Sequence, residues 1–408
     1  MKKKNSKKHI RVDYARAVYG EKEIKAVKKF LESGAFLAGG SHTKEFEERI
    51  ARLFGKRHGV MVNSGSSANM IAVELLDLPR GAEVITPLLT FGTTLAPLVQ
   101  KGLVPVFIDV KEGAYVINVD EIESHITSKT KAMMVPSLFG NIPDMERLAA
   151  IAKKYGLIFI EDSCDTLGAT YKKKPTGTYS HISTTSFYAS HIITTAGCGG
   201  MVMVNDAKLY DRARMFRGWG RGSAVFSESE DLSKRFAVDL DGTPYDAKFI
   251  FKEIGYNFIP QEIGAVFGLA QLERFKKFSK LRKECFTALQ KFFKKHEDIF
   301  ILPVESKHID THWLAFPLTI RNNAPFSRND LVIHLEKNNI QTRPIFTGNV
   351  LKHPAYKSIE NRVHNKGYPV TEHIMKNAFV IGAHQAMTHK HIAYVKKVVT
   401  DFLKKYEY

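Results

Sequence analysis

Short apolar runs alternate with amphipathic stretches along the first half of the chain. The apolar runs predict strands, which lie at 58–63, 83–87, 104–110, 131–137, 156–162, 182–188 and 199–205. Helical periodicity is present at 22–33, 43–54, 66–76, 92–101 and 144–155. Strands that alternate with helices in this way predict an α/β fold, with a doubly wound, mostly parallel sheet covered by helices on both faces.

The alternation of strands and helices is interrupted in the second half of the chain. Residues 217–258 are rich in Gly, Ser and Asp and predict a long irregular excursion. Helices are predicted again at 261–275 and 278–296, followed by strands at 314–320 and 340–345 with a helix at 327–338 between them. We therefore expect a basic N-terminal arm at 1–20, a large domain at 21–290 and a smaller C-terminal αβ domain at 291–408.

The 408-residue chain is strongly basic, with 60 Lys and Arg against 42 Asp and Glu and a net charge of +18. Such an excess suggests an anionic partner. Most of the excess lies at the two termini and in the helical stretch 274–295, which favours solvated tails and a solvated helix face. No zinc-finger or other nucleic-acid-binding signature accompanies it, so we expect no nucleic-acid partner.

Cysteine content and hydropathy predict where the chain resides. Three cysteines do not make a disulfide framework in a chain of this length. The lysine-rich start is not followed by the apolar segment of a signal peptide, and no apolar run approaches 18 residues. We expect no membrane association and a reducing, cytoplasmic location.

Candidate ligand-binding residues follow the predicted strands, because ligands of open α/β sheets bind beyond the carboxyl ends of the strands. Residues 64–69 (SGSSAN) open a helix and predict a phosphate cradle, with ordinary capping as the alternative. Phe91 is placed to cover a flat ring, unless it is a core residue. Asp162 ends a buried strand and needs a partner such as a protonated heteroaromatic nitrogen. Together they suggest pyridoxal phosphate, whose protonated ring is an electron sink.

From about residue 12 to the C-terminus, the order of segments resembles the DegT/DnrJ/EryC1/StrS sugar aminotransferase family. The matching segments are NSGSSAN, TPLLTFGTT, PVFIDV, EDSCDTLGA, TSFYASH, GCGGMV, GYNFIPQEIGAVFGLAQLER and TRPIF. The resemblance implies a fold-type-I pyridoxal-phosphate-dependent transferase that acts on nucleotide-linked keto sugars. It also implies a homodimer, since the active sites of this fold lie at a dimer interface.

The resemblance assigns expected roles to individual residues. Ser66, Ser67 and Ser186 are expected to bind the cofactor phosphate. Phe91 is expected to stack on the ring, Asp162 to meet the pyridine nitrogen and Asp165 to lie near the ring oxygen. Asn257 is expected to reach the phosphate held by the neighbouring subunit. Expected contacts to the substrate diphosphate, or to the carboxylate of an amino donor, come from Arg217, Arg221 and Arg343, with surface ion pairs as an equal alternative.

The residue His191 departs from the aminotransferase pattern. In the aminotransferases the corresponding position of S-F-x-x-x-K carries the lysine that binds the cofactor covalently, whereas this chain reads SFYASH. Imidazole cannot hold the cofactor in this way, but it can take up and release protons near neutral pH. The exchange resembles the sugar 3-dehydratase subgroup, so His191 is expected to act as a base. A degenerate site or a purely structural histidine is the alternative.

A second departure concerns iron. Within the subgroup, the CDP-sugar enzyme binds a [2Fe–2S] cluster through four cysteines. Here Cys164 is retained, but residues 222–228 read GSAVFSE and the chain has only three cysteines. Four thiolates are needed for such a cluster, so we expect no iron–sulfur cluster and no other metal site, with Cys164 as a small buried residue that fills space.

The resemblance implies dehydration at C3 of a nucleotide-linked 4-keto-6-deoxy sugar. Pyridoxamine phosphate would be the working form of the cofactor, renewed by an amino donor that we expect to be glutamate. Two alternatives stay open at this point. One is a nucleotide-sugar aminotransferase of the same family, and the other is a protein that binds the cofactor but has lost catalysis.

Overall fold

The N-terminal two thirds of the chain form a seven-stranded sheet. The computed structural model describes residues 10–226 and 232–407. The strands up to residue 204 are β1 (His58–Val62), β2 (Glu83–Pro87), β3 (Val104–Ile108), β4 (Thr130–Pro136), β5 (Ile158–Asp162), β6 (Thr170–Tyr171), β7 (Lys174–Pro175), β8 (Ile182–Ser186) and β9 (Gly200–Val204). The large sheet has the order β1-β9-β8-β5-β4-β2-β3, and β9 alone runs against its neighbours. The predicted mostly parallel sheet is confirmed.

Helices cover both faces of this sheet. They are α1 (Glu21–Glu32), α2 (Ser41–Leu53), α3 (Gly65–Glu74), α4 (Gly92–Gln100), α5 (Met145–Tyr155), α6 (Ala207–Arg217), α7 (Leu232–Arg235), α8 (Glu262–Leu272) and α9 (Phe275–Phe293). One hydrophobic core, with Val84 and Phe107, lies on one side of the sheet. Another, with Ile85 and Phe159, lies on the opposite side. Burial on both faces explains why these strands read as continuous apolar runs.

The excursion at 217–258 contains only short elements within its described residues. Besides α7 it forms the hairpin of β10 (Val238–Leu240) and β11 (Thr243–Tyr245). Residues 227–231, which include part of the segment aligned with the cluster-binding cysteines, lie outside the described residues. The expectation of an irregular stretch holds for the parts on either side of them.

A smaller antiparallel sheet follows. Its elements are β12 (Phe300–Ile301), β13 (Ile309–Asp310), β14 (Ala315–Ile320), α10 (Arg328–Lys337), β15 (Thr342–Pro344), α11 (Pro369–Asn377), β16 (Ala378–Gly382) and α12 (His389–Leu403). Four strands pair in the order β12-β14-β16-β15, while β13 pairs with β6 of the large domain. None of the helices in 10–226 and 232–407 combines the length and apolar composition needed to cross a membrane.

The proposed domain boundary at residue 290 falls within α9. Cys285, Phe286, Leu289 and Phe293 of this helix pack in the same core as the small sheet. At the other end of the chain, Val12 is buried in that core, and its backbone bonds to the chain on either side of residue 340. Both connections join the small domain to residues that precede it in the chain.

Candidate functional site

A cavity of about 480 Å³ lies at the carboxyl ends of the parallel strands. Seven of the predicted site residues line it, namely Ser66, Phe91, Asp162, Asp165, Ser186, His191 and Arg343. The carboxyl ends of β5 and β8 and the segments that follow β1, β2, β5 and β8 supply six of them, and β15 of the small domain supplies the seventh. Ser67, Arg217, Arg221 and Asn257 are not among the lining residues of this single chain.

The N-terminus of α3 opens onto this cavity. Gly65 and Ser66 begin the helix, so their backbone N–H groups have no partner within it. A Cβ at Gly65 would lie 2.6 Å from the Cβ of Ser186, so a side chain there would collide with the end of β8. Only glycine leaves the helix end open, and an open helix N-terminus favours an anion such as a phosphate group.

Ser67 has a different position from the one the resemblance implies. Its backbone N–H donates to the Oγ of Ser64 at 3.1 Å, and its hydroxyl donates to the Oδ1 of Asn63 at 2.6 Å. The side chain is buried within the turn rather than directed to the cavity. In this structure Ser67 stabilises the start of α3, which is the capping alternative.

The carboxylate of Asp162 is buried at the end of β5 and held by three donors. Its Oδ2 accepts from the side-chain amide of Asn69 at 2.9 Å and from the hydroxyl of Thr94 at 2.7 Å. Its Oδ1 accepts from the backbone N–H of Cys164 at 3.1 Å. Asn69 is itself oriented, because its Oδ1 accepts from the hydroxyl of Thr184. Such a carboxylate is fixed in place and suits a cationic ring nitrogen.

Asp165 lies against the same cavity, three residues further on. Its Oδ2 accepts from the backbone N–H of Phe139 at 2.9 Å. Burial raises the pKa of its carboxyl group to about 7, with a further contribution from the charge of Asp162. Near neutral pH this group exchanges a proton, unlike an ordinary aspartate.

Asp165→Asn is expected to raise the melting temperature of the cofactor-free protein by several degrees at pH 8. The pKa of Asp165 is about 7 in the folded chain against an ordinary 3.8, so the native state loses stability as the pH rises from about 4 to 7. The asparagine side chain does not ionise, so this loss of stability disappears, and its oxygen can still accept a hydrogen bond from the backbone N–H of Phe139. Thermal unfolding at pH 4 and pH 8 checks this, and an equal gain at both pH values would contradict it.

His191 lies in the loop between β8 and β9, and its imidazole lines the cavity. The backbone N–H of His191 donates to the carbonyl of Tyr188 at 2.9 Å. The Nδ1 atom is buried and makes no hydrogen bond with the described residues. Burial, with a smaller contribution from the positive charge of Arg282, lowers the pKa of the imidazole to about 4. The ring is therefore neutral at pH 7 and able to accept a proton.

Three phenylalanine rings also line the cavity. Phe91 is about half exposed (52%), and its ring meets that of Phe346 edge to face at 5.9 Å. Phe346 stacks on Phe139 with centroids 4.4 Å apart. Both Phe139 and Phe346 have positive φ, 55° and 43°, which is strained for bulky residues. Neither was singled out from the sequence, because no local pattern marks rings that meet only when the two domains pack.

The three predicted arginines differ in their surroundings. Arg343 lines the cavity, with its guanidinium 5.7 Å from the ring of Tyr14. Arg217 instead pairs with the buried Glu47, with 2.7 Å between Nη1 and Oε1, and donates to the backbone carbonyl of Met61. For Arg217 this is the ion-pair alternative.

Arg221 lies among aromatic rings rather than in the cavity. Its guanidinium lies 4.6 Å from the ring centre of Trp219, 4.7 Å from that of Phe249 and 5.8 Å from that of Phe251. Asn257 lies nearby, in the segment whose backbone pairs with Gly218. Substrate binding by Arg221 and a contact of Asn257 with a neighbouring subunit stay predictions.

Two of the three cysteines line the cavity. Cys164 is of intermediate exposure and lines the cavity, so it is not the fully buried, space-filling residue that was expected, although its thiol lies largely out of solvent. Burial raises the pKa of its thiol well above the usual value. Cys198 also lines the cavity, whereas Cys285 is buried in the small-domain core. In the described residues no three His, Cys, Asp or Glu side chains are placed to hold a metal ion.

The lining residues fit pyridoxal phosphate. The open N-terminus of α3 suits its phosphate, and the face of Phe91 suits its ring. Asp162 suits its pyridine nitrogen, and the partnerless Nδ1 of His191 offers a proton acceptor beside them. These four features converge on one cavity although they come from four different segments of the chain.

Comparisons with known proteins agree with this assignment. Residues 18–400 match the DegT/DnrJ/EryC1/StrS aminotransferase family. The chain is 35% identical over 380 residues to the dTDP-4-dehydro-2,6-dideoxy-D-glucose 3-dehydratase of Saccharopolyspora spinosa, covering 90% of this chain and 82% of that protein. Family membership and the transferase fold are thereby confirmed.

Two solved structures are similar over nearly the whole chain. One is the E. coli GDP-4-keto-6-deoxy-D-mannose-3-dehydratase with bound hydrated PLP, with a TM-score of 0.85 and 29% identity over 95% of this chain and all of that one. The other is a GDP-4-keto-6-deoxymannose-3-dehydratase with a trapped PLP-glutamate geminal diamine, with a TM-score of 0.84 and 28% identity over 95% of this chain and 99% of that one.

Proposed function

Because the chain belongs to the DegT/DnrJ/EryC1/StrS aminotransferase family, we propose that it removes the C3 hydroxyl group of a nucleotide-linked 4-keto-6-deoxy sugar. The observation that carries the proposal is His191, a neutral base lining the cavity where the aminotransferases of the family have lysine. The similar 3-dehydratases support the same reaction class.

The cofactor would be pyridoxal phosphate in its pyridoxamine form. When bound, it supplies an amino group for the C4 ketone and a ring that accepts electrons. Ser66 and the N-terminus of α3 hold the phosphate, with Ser186 beside them, and Phe91 covers the ring. Asp162 keeps a proton on the ring nitrogen, because a fixed buried carboxylate favours the cationic form of its partner.

His191 performs the proton transfers. Its neutral imidazole removes a proton at the C4′ carbon of the cofactor as general base. The imidazolium that results donates the proton to the departing C3 oxygen as general acid. Among the described residues that line the cavity, Arg343 is the one Lys or Arg, and we assign it the substrate diphosphate or the carboxylate of the amino donor.

We infer that glutamate renews the cofactor, which the similar structure with a trapped PLP-glutamate supports. In the balanced reaction the sugar loses one oxygen, and glutamate becomes 2-oxoglutarate and ammonia. No outside reductant is required, which agrees with the expectation that the chain has no iron–sulfur cluster.

We also propose a homodimer. Four large apolar side chains are exposed on α1 and in the loop after it, namely Ile24, Leu31, Phe36 and Leu37. Such a patch favours a protein partner. Molecular mass in solution, measured by light scattering, should correspond to two chains.

The test of function is incubation with glutamate, the cofactor and a panel of GDP-, CDP- and dTDP-linked 4-keto-6-deoxy sugars. Mass spectrometry should show a product that lacks one oxygen. A stable 4-amino sugar would identify an aminotransferase instead. The absence of any product across the panel would favour a chain that binds the cofactor without catalysis.

His191→Lys provides a further prediction about the cavity. A lysine at this position should bind pyridoxal phosphate covalently, so the purified variant should be yellow. Borohydride reduction should then add the mass of the cofactor to the peptide that contains position 191. His389→Lys, at the exposed start of α12, is the control and should stay colourless. A colourless His191→Lys variant would mean that position 191 does not correspond to the lysine.

A further inference from the structure

A fully buried arginine lies directly behind the His191 loop. Arg282 of α9 is 0% exposed, and it lies on the apolar side of the helix with Phe278, Cys285 and Leu289. Within 10–226 and 232–407 no carboxylate forms an ion pair with it. A buried charge without a counterion is costly, so its placement calls for a reason beyond packing.

Backbone carbonyl groups take the place of a counterion. One guanidinium nitrogen, Nη1, donates to the carbonyls of Trp313 at 3.3 Å and Leu314 at 3.0 Å. The other, Nη2, lies 3.4 Å from the carbonyl of His191. Trp313 and Leu314 immediately precede β14, so one rigid side chain joins α9, the small sheet and the His191 loop. Leu314 and His191 both line the cavity.

We propose that Arg282 is a positioning residue for His191, whose guanidinium fixes the His191 loop against the start of β14 and whose positive charge adds to burial in disfavouring protonation of the imidazole. The proposal rests on the proposed function only for what His191 does in catalysis. The contacts and the charge are properties of the chain without cofactor or substrate.

The histidines around Arg282 support the electrostatic part of this proposal. Burial is the largest cause of the lowered pKa at His191, His312 and His384, and the charge of Arg282 lowers the pKa of all three further. Asp162 acts in the opposite direction on His191. If the positive charge of Arg282 is removed, the effect of Asp162 is no longer offset by it, and the pKa of His191 should rise.

Several other titratable groups surround the His191 imidazole. They are Asp162, Cys164 and Asp165 after β5, Tyr188 and Cys198 of its own loop, Tyr14 of the N-terminal segment and Arg343 of β15. Substitution at position 282 leaves these side chains in place, but the Arg282 charge also lowers the pKa of Asp165 and of Tyr14. The His191 titration is therefore compared between variants below pH 6, where Asp165, whose pKa is raised to about 7, stays protonated.

The experiment follows the titration of His191 in cofactor-free protein by NMR, using ring-labelled histidine. The His191 signal is assigned as the one missing from the spectrum of His191→Asn. Arg282→Gln keeps a donor for the carbonyls but removes the charge, so the pKa of His191 should rise by about one unit. Arg282→Lys keeps the charge and should leave it nearly unchanged. Lys283→Gln, the exposed neighbour on the same helix, is the matched control and should also leave it unchanged.

An Arg282→Gln variant that folds and titrates His191 as the wild type does would overturn the proposal. So would an Arg282→Lys variant that raises the pKa as much as Arg282→Gln, because packing rather than charge would then be responsible. If neither variant folds, the wild-type protein decides. A His191 pKa at or above the ordinary 6.5 overturns the proposal, because burial and the Arg282 charge both act to lower it.

In active enzyme, the acidic pKa in the profile of kcat/KM against pH should rise in Arg282→Gln. The rise should equal that of the His191 pKa measured by NMR. A merely structural role would lower kcat/KM without moving this acidic pKa. If no sugar in the panel is converted, the proposed function fails, while the NMR titration still tests the role of Arg282.

Discussion

His191→Asn is expected to lower kcat for removal of the C3 hydroxyl group by a factor of about 10²–10⁴. Asparagine can fill the same space and make hydrogen bonds, but it cannot take a proton from carbon and deliver it to oxygen. The neutral imidazole, with its pKa lowered to about 4 by burial, is the only histidine among the residues that line the cavity. Steady-state kinetics with glutamate and the sugar identified from the panel would measure the effect.

A measurement of cofactor binding distinguishes loss of proton transfer in His191→Asn from damage to the cavity. Since His191 is not expected to hold the cofactor, His191→Asn should bind pyridoxamine phosphate nearly as tightly as the wild type, as measured by fluorescence titration. A variant that binds the cofactor and dehydrates the sugar at a wild-type rate would show that His191 is a structural residue.

Asp162→Asn is expected to lower kcat by a similar factor, about 10²–10⁴. The asparagine oxygen can still accept from Asn69 and Thr94, which hold the carboxylate at 2.9 and 2.7 Å. It cannot carry the negative charge that keeps the ring nitrogen of the cofactor protonated, so the ring would be a poorer electron acceptor. Kinetics, together with the absorbance of bound pyridoxal phosphate as a function of pH, would measure both consequences.

Asp206→Asn is the matched control for this variant. Asp206 caps α6 at the surface, where its Oδ1 accepts from the backbone N–H of Leu209 at 2.9 Å. Asparagine caps helices as well as aspartate does, so this variant should keep wild-type kcat. Equal losses in the two variants would mean that the effect of Asp162→Asn is not specific to the cavity.

The part of the site that lies at the strand ends could be predicted from the sequence. The strand at 83–87 was predicted with the bounds it has in the structure, and Asp162 and His191 lie where the strand order brings them together. This succeeded because buried parallel strands are continuous apolar runs, and their carboxyl ends meet at one edge of the sheet.

The part built by long-range packing could not be predicted in the same way. Arg282 was counted with the lysines of 274–295 as part of a solvated face, and that interpretation is wrong for this residue, since it is fully buried. A usable signal was present, because Arg282 follows Phe278 by four residues and precedes Leu289 by seven, the spacing of one helix face. The ring contact between Phe139 and Phe346 had no such signal.

The positive charge of an arginine did not by itself predict whether the residue lines the cavity. Arg217 and Arg343 were both predicted to contact the substrate diphosphate or the carboxylate of an amino donor, yet Arg217 pairs with the buried Glu47 and Arg343 lines the cavity. The difference depends on α2, which supplies Glu47 from 170 residues away in the chain. Distances of this kind are set by the tertiary fold rather than by local sequence.

The most direct test of the account is the stoichiometry of a complete reaction. For each sugar converted, the protein should consume one glutamate, form one 2-oxoglutarate and release one ammonia, while the sugar loses one oxygen and gains no nitrogen. Enzymatic assays of ammonia and 2-oxoglutarate beside mass spectrometry of the sugar would measure all four quantities. Formation of 2-oxoglutarate without ammonia, together with a sugar that carries the nitrogen, would contradict dehydration and show that the chain is an aminotransferase.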